Sequence, residues 1–125
     1  MLRVLLVTAL PENIRPFAEA LSIDPEVQLD RAASGAEAVS VARKSSPHLV
    51  IVDTSLPDVQ PLDLVTELLR VNAMINTAIV SPLSEHDFHE ASEGLGVLAR
   101  LPVNPGSSEA ADLMHKLRQV VGTGV

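Results

Sequence analysis

The sequence predicts an α/β domain: five parallel strands in one doubly wound sheet, with five helices covering its faces. Three features carry that prediction. Leu2 to Val7, aliphatic but for Arg3, and Leu49 to Asp53, aliphatic up to its closing aspartate, have the pattern of strands buried on both faces. Other stretches place apolar residues at i, i+3, i+4 and i+7, the stripe of a helix lying on a sheet. The two patterns alternate along the chain with no internal linker, low-complexity segment or second domain, which implies parallel strands in a single unit.

The elements follow in order. Leu2 to Val7 is the first strand. Pro11 suits a first helical turn, and Ile14, Phe17, Ala18 and Leu21 form the stripe of the first helix. Val27 to Ala33 alternates and reads as the second strand. Ser34 to Glu37 has the form of a capping box and opens a helix to about Ser45, with Ala38, Val39 and Ala42 inward. Leu49 to Asp53 is the third strand. The loop "TSLPDVQ" leads to a helix from about Pro61 to Val71 carrying Leu64, Val65, Leu68 and Leu69. Thr77 to Ser81 is the fourth strand. Ser84 to Asp87 caps a short helix with Phe88, Ala91 and Leu95 on one side, and Val97 to Leu101 is the fifth strand. Ala110, Leu113, Met114, Leu117, Val120 and Val121 stripe the last helix. The domain is expected over residues 2–121, with 122–125 as a flexible tail and no output domain.

Composition narrows the function. With 46% hydrophobic and 20% charged residues, 125 residues suffice for one sizeable core. The absence of cysteine removes thiolate chemistry and disulfides, and is compatible with a cytoplasmic protein. The first apolar run ends by Leu10 with no cleavage-type site after it, and no stretch approaches the ~20 apolar residues of a membrane span. A net charge of −7, nine cations spread along the chain and only Phe17 and Phe88 as aromatics argue against nucleic-acid binding.

In a doubly wound sheet, chemistry gathers at the carboxyl ends of the strands, where strand order reverses. That rule selects Thr8 and Ala9 after the first strand, Asp53 after the third, Ser81 after the fourth, and the segment from Leu101 to Asn104 after the fifth. At these positions the chain resembles the receiver (CheY-like) domains of two-component response regulators, a flavodoxin-like fold. "LVIVDTSLPD", Leu49 to Asp58, matches the family's strand, its acceptor aspartate at Asp53 and the following Leu56-Pro57. Ser81 fits the Ser/Thr at the end of the fourth strand, and Pro102 the proline of the next loop. The likeness covers nearly the whole chain and implies a stand-alone bacterial, cytoplasmic phosphorelay module that is not an enzyme. Its partners would be a histidine kinase, another receiver or a second copy.

The departures from the family pattern cluster at the site. Thr8 and Ala9 occupy the seats of two acidic residues that hold Mg²⁺ with the acceptor. The lysine seat falls on Val103, or on Asn104 with a one-residue slip. The aromatic switch position falls on Arg100, and Pro61 replaces a glycine. Phosphoryl transfer to a carboxylate is chiefly an electrostatic problem, solved by a metal and fixed donors. Asp53, with Ser55 offering a backbone carbonyl, supplies few ligands. The expectation is therefore weak or absent Mg²⁺ binding, no other cofactor, and slow or absent autophosphorylation.

Two readings of Asp53 stay open: a phosphoacceptor, or a remnant that caps its own loop by accepting N–H bonds. Ser81 reads more simply as a local hydrogen-bonding residue, and Thr8 and Ala9 as residues that lower local negative charge. By the resemblance, a partner face includes Phe88, Leu95, Arg100 and the exposed side of the last helix. "HDFHE", from His86 to Glu90, reads as a solvated polar face rather than a metal site. A flavodoxin-like enzyme or ligand binder is disfavoured, since neither a cofactor loop nor a catalytic pair is present.

Overall fold

A computed structural model describes residues 1–121. The expected flexible tail, 122–125, lies outside the described residues. The strands are β1 (Leu2–Val7), β2 (Val27–Ala32), β3 (Leu49–Val52), β4 (Asn76–Val80) and β5 (Ala99–Leu101). They form one parallel sheet in the order β2-β1-β3-β4-β5. The helices are α1 (Arg15–Ser22), α2 (Gly35–Ser45), α3 (Pro61–Val71), α4 (Glu85–Ala91) and α5 (Ser107–Val121).

Strand alternation divides the core in two. Val4, Leu6, Leu49, Ile51, Ala78 and Val80 face α1 and α5, where they meet Ile14, Phe17, Leu21, Leu113 and Leu117. Leu5, Val7, Val50, Val52 and Ile79 face the other side, against Ala38, Ala42, Leu64, Leu68 and Phe88. A period of 2 sends neighbours to opposite faces, so an unbroken aliphatic run is what a two-sided core requires. With right-handed crossovers, the reversal of strand order between β1 and β3 places helices on both faces.

Several expected boundaries shift. Pro11–Ile14 forms a 3₁₀ turn ahead of α1, and Pro16 sits in the first turn of α1 itself. β2 stops at Ala32, one residue short of the expected end. β4 is displaced by one residue, running from Asn76 to Val80. β5 is only three residues long because Val97 and Leu98 precede the ladder, although Leu98 N–H still bonds to Thr77 O at 2.7 Å. Ser34 Oγ accepts from Glu37 N–H at 3.2 Å, and Ser84 Oγ from Asp87 N–H at 3.1 Å, so both expected N-caps form. Two stripe residues face outward: Ala91 is exposed, and Val120 is 56% exposed while Leu113 and Leu117 are buried.

The loop after β3 is tied to α2. The Asp58 carboxylate accepts from Gly35 N–H and Ala36 N–H, each at 2.9 Å, at the N-terminus of that helix. These backbone bonds hold its carboxyl below the ordinary aspartate value. Val59 packs so closely over Gly35 that any side chain there would collide with it.

Candidate functional site

The strand ladder decides what stands beside Asp53. Val7 pairs with Val52, so the residues that follow, Thr8 and Asp53, leave β1 and β3 side by side at the carboxyl edge. Asp53 N–H bonds to Val7 O at 2.9 Å, and Thr8 N–H bonds to Ala32 O at 2.9 Å, which continues the ladder into the crevice. This is where the strand order reverses, the position sheet topology assigns to function.

The two side chains are paired. Thr8 Oγ1 donates to Asp53 Oδ2 at 2.6 Å, and the bond is buried. Asp53 Oδ1 accepts Thr54 N–H at 2.7 Å. Thr8 Oγ1 in turn accepts Leu10 N–H at 3.0 Å. Asp53 is 4% exposed and Thr8 6%. Among the described residues no buried side-chain polar atom lacks a hydrogen-bond partner. The site is thus a closed relay: Leu10 N–H to the Thr8 hydroxyl, the hydroxyl to one carboxylate oxygen, and Thr54 N–H to the other.

The neighbouring candidates do not join this relay. Ser81 lies at the end of β4, buried, and its Oγ accepts Leu83 N–H at 3.2 Å. No hydrogen bond among the described residues links it to Asp53. Ser55 and Ala9 are exposed. Val103 is 49% exposed in the loop after β5, and Asn104 beside it adopts a positive φ of 59°.

Arg100 reaches back across the edge. Its Nη1 donates to Ser81 O at 3.1 Å and its Nε to Glu85 Oε1 at 3.2 Å, joining β5 to the β4–α4 loop and to the start of α4. Phe88, expected on an exposed partner face, is 6% exposed and packs in the core against the sheet. The short helix α4 has one apolar anchor, and a large aromatic is the residue with most to gain from burial. Leu95 is half-buried on the same cluster. An open groove of about 280 Å³ lies beside Ser81, lined by Thr54, Pro61, Leu62, Leu83 and Phe88 among others. His86, Asp87 and Glu90 approach one another on α4, all exposed, with His86 Nε2 3.2 Å from Glu90 Oε1.

The described side chains offer few oxygen ligands for a divalent cation beside Asp53. Mg²⁺ takes oxygen ligands in near-octahedral array, mostly carboxylates and waters. Here the hydroxyl proton of Thr8 already occupies the carboxylate oxygen, Ala9 carries no oxygen on its side chain, and Asp58 is engaged at α2. The Thr8 hydroxyl gives the Asp53 carboxyl a buried hydrogen-bond donor without introducing another charge. The sequence placed Thr8 in this crevice. It gave no sign that the hydroxyl and the carboxylate would be in contact.

No family model matches the chain, and no curated protein matches its sequence. Solved structures do share its fold. The N-terminal domain of an uncharacterized protein from Wolinella succinogenes superposes with a TM-score of 0.83 at 18% identity, over all of both chains. The chemotaxis response regulator CheY4 of Vibrio cholerae gives 0.81 at 16% identity, over 94% of this chain and 98% of that one. The response regulator domain of Thermotoga maritima CheB gives 0.78 at 21% identity, over 95% of each. Among the described residues no helix is long and apolar enough to cross a membrane.

Proposed function

Because the chain has the fold of response regulator receiver (CheY-like) domains, we propose that it is a cytoplasmic signalling module of two-component transduction. In this reading it acts by binding a protein partner and depends little, or not at all, on Mg²⁺-assisted phosphorylation. One observation carries the reading: the buried carboxylate of Asp53 has both oxygens engaged, one by the Thr8 hydroxyl at 2.6 Å and one by Thr54 N–H at 2.7 Å. A phosphoryl group would have to displace that hydroxyl, and it would enter without a metal or lysine to offset its charge. The module is a binding protein rather than an enzyme and needs no cofactor. Its partner is a histidine kinase, another receiver or a second copy, meeting it at the outer side of α4, β5 and α5. There Leu95 and Arg100 contribute, while Phe88 supports the face from within.

The second reading keeps Asp53 as a phosphoacceptor, with a kinase supplying the missing electrostatics. Its support is the placement of Asp53 and Ser81 at the ends of adjacent strands, on the edge where that chemistry would occur.

One experiment tests the first reading. The chain is incubated with an acyl phosphate and Mg²⁺ and its intact mass followed, with Asp53→Asn as control. No gain in mass, together with an unfolding temperature insensitive to Mg²⁺, is the expected result. A prompt stoichiometric gain that vanishes in D53N overturns the first reading and makes Asp53 a phosphoacceptor.

A further inference from the structure

The seam between α2 and α3 holds a feature that the signalling reading does not use. Two adjoining hollows of about 560 and 410 Å³ share Val39, Arg43 and Glu67 as lining, so they form one continuous groove. It extends from Ala36, in the first turn of α2, to Ser46 and Asn72 just beyond the helix ends. At 1.5 Å per residue that is roughly 15 Å, room for a short peptide segment. Val39 and Val71 supply its apolar lining.

The charges around this groove are unlike those of the rest of the molecule. Arg43 and Lys44 come from the last turn of α2 and Arg70 from the last turn of α3. Arg3 joins them, donating to the carbonyls of Ser45 and Ser46 at 3.3 and 3.1 Å. Four of the chain's nine cations therefore meet at one end of a domain whose net charge is −7. Glu67 is the one acidic residue lining the groove. The salt bridges among the described residues use Arg100, Arg118 and His86, and none uses Arg43, Lys44 or Arg70. Helix C-termini favour cations, which accounts for each of these residues singly. It does not account for two arginines facing one open cleft whose lining is mostly polar.

We propose that the α2–α3 groove docks an acidic segment of a partner protein. Its carboxylates would meet Arg43 and Arg70, and an apolar side chain would rest on Val39 and Val71. Guanidinium forks match carboxylates in a two-point geometry. A nucleic acid fits less well: the remaining negative charge of the domain repels a phosphate backbone, and no aromatic lines the groove to stack on a base. The groove shares no lining residue with the relay of Thr8, Asp53 and Thr54.

The test titrates the whole ¹⁵N-labelled chain with a synthetic peptide of Glu and Leu, and in parallel with its Lys and Leu counterpart. Saturable amide shifts over residues 36–46 and 67–72 are expected with the acidic peptide alone. The Arg43→Glu/Arg70→Glu variant should bind it about tenfold more weakly, the effect of losing two exposed charge pairs. The same variant should acquire affinity for the Lys peptide, and unchanged shifts elsewhere verify its fold. The proposal is overturned by shifts that fail to saturate, by shifts centred elsewhere, or by undiminished binding in the variant. Equal binding of a duplex oligonucleotide also overturns it, as does self-association mapping to the same amides.

Discussion

Thr8→Val isolates the contact on which the site reading rests. The substitution removes the hydroxyl while keeping a β-branched side chain of nearly the same size, so no cavity opens. What it leaves is Asp53 Oδ2, buried and without its donor at 2.6 Å. Removing the partner of a buried, ionised acceptor costs about 1.5–3 kcal/mol. Leu10 N–H loses its acceptor as well, but Leu10 is exposed and water can replace the bond at small cost. The expected loss is therefore about 2–3 kcal/mol, a large share of the ~5–15 kcal/mol that holds a typical domain together.

The chain has neither Trp nor Tyr, so the assay is urea unfolding followed by far-ultraviolet circular dichroism. At this chain length the loss corresponds to a fall in Tm of about 10 °C. Asp53→Asn supplies the second arm of a double-mutant cycle. On that background the group left unpaired is neutral, so Thr8→Val should cost about 1 kcal/mol less than in the wild type. A loss below about 0.5 kcal/mol for Thr8→Val, or strict additivity of the two changes, would refute the closed relay.

Three further outcomes follow from the same geometry. Thr8→Asp sets a second carboxylate against Asp53 and should destabilise the metal-free chain while letting Mg²⁺ raise its Tm, through a stabilisation of about 2.7 kcal/mol at a hundredfold excess over Kd; a Tm indifferent to Mg²⁺ would count against the charge argument. Arg118→Ala removes the contacts to Asp24 at 2.8 Å and Glu26 at 3.3 Å that tie α5 to the α1–β2 turn, and should cost about 1 kcal/mol, less in high salt. The Arg118 hydrogen bond, aided by Glu26 N–H, holds the Asp24 carboxyl below its ordinary value. That contribution is complete above the unfolded aspartate value and is lost as pH falls through the folded one, so variant and wild type should converge in stability in strong acid. His48 Nδ1 accepts Arg3 N–H at 2.9 Å, and burial first, then the Arg3 charge, lowers its pKa. Its contribution is complete above about pH 6.5 and lost as pH falls through the lower folded value; an imidazole titrating at or above the ordinary histidine value in NMR would contradict this.

Much of the architecture was legible in local pattern. Aliphatic runs marked β1 and β3, and helical stripes marked α1, α3 and α5. The caps at Ser34 and Ser84 formed where the sequence placed them. Errors fell where local pattern is weakest. β5 keeps only three ladder residues, because whether Val97 and Leu98 join the sheet depends on where β4 lies beside them. Phe88 was placed on a partner face by the resemblance to receiver domains, and its burial turns on how α4 packs against the sheet.

The sequence by itself determined that a parallel sheet would bring Thr8, Asp53 and Ser81 to one edge, and that this edge lacks the acidic and basic groups expected there. The first follows from residue identity and periodicity, which are local properties, and the second from the resemblance to receiver domains. Only the tertiary structure decided that Thr8 bonds Asp53 across 45 positions while Ser81 does not. It also gathered Arg3, Arg43, Lys44 and Arg70, scattered along the chain, at the foot of one groove. Hydrogen bonds and fields depend on separations of a few ångströms, and those are set by strand register and helix packing between segments far apart in the chain.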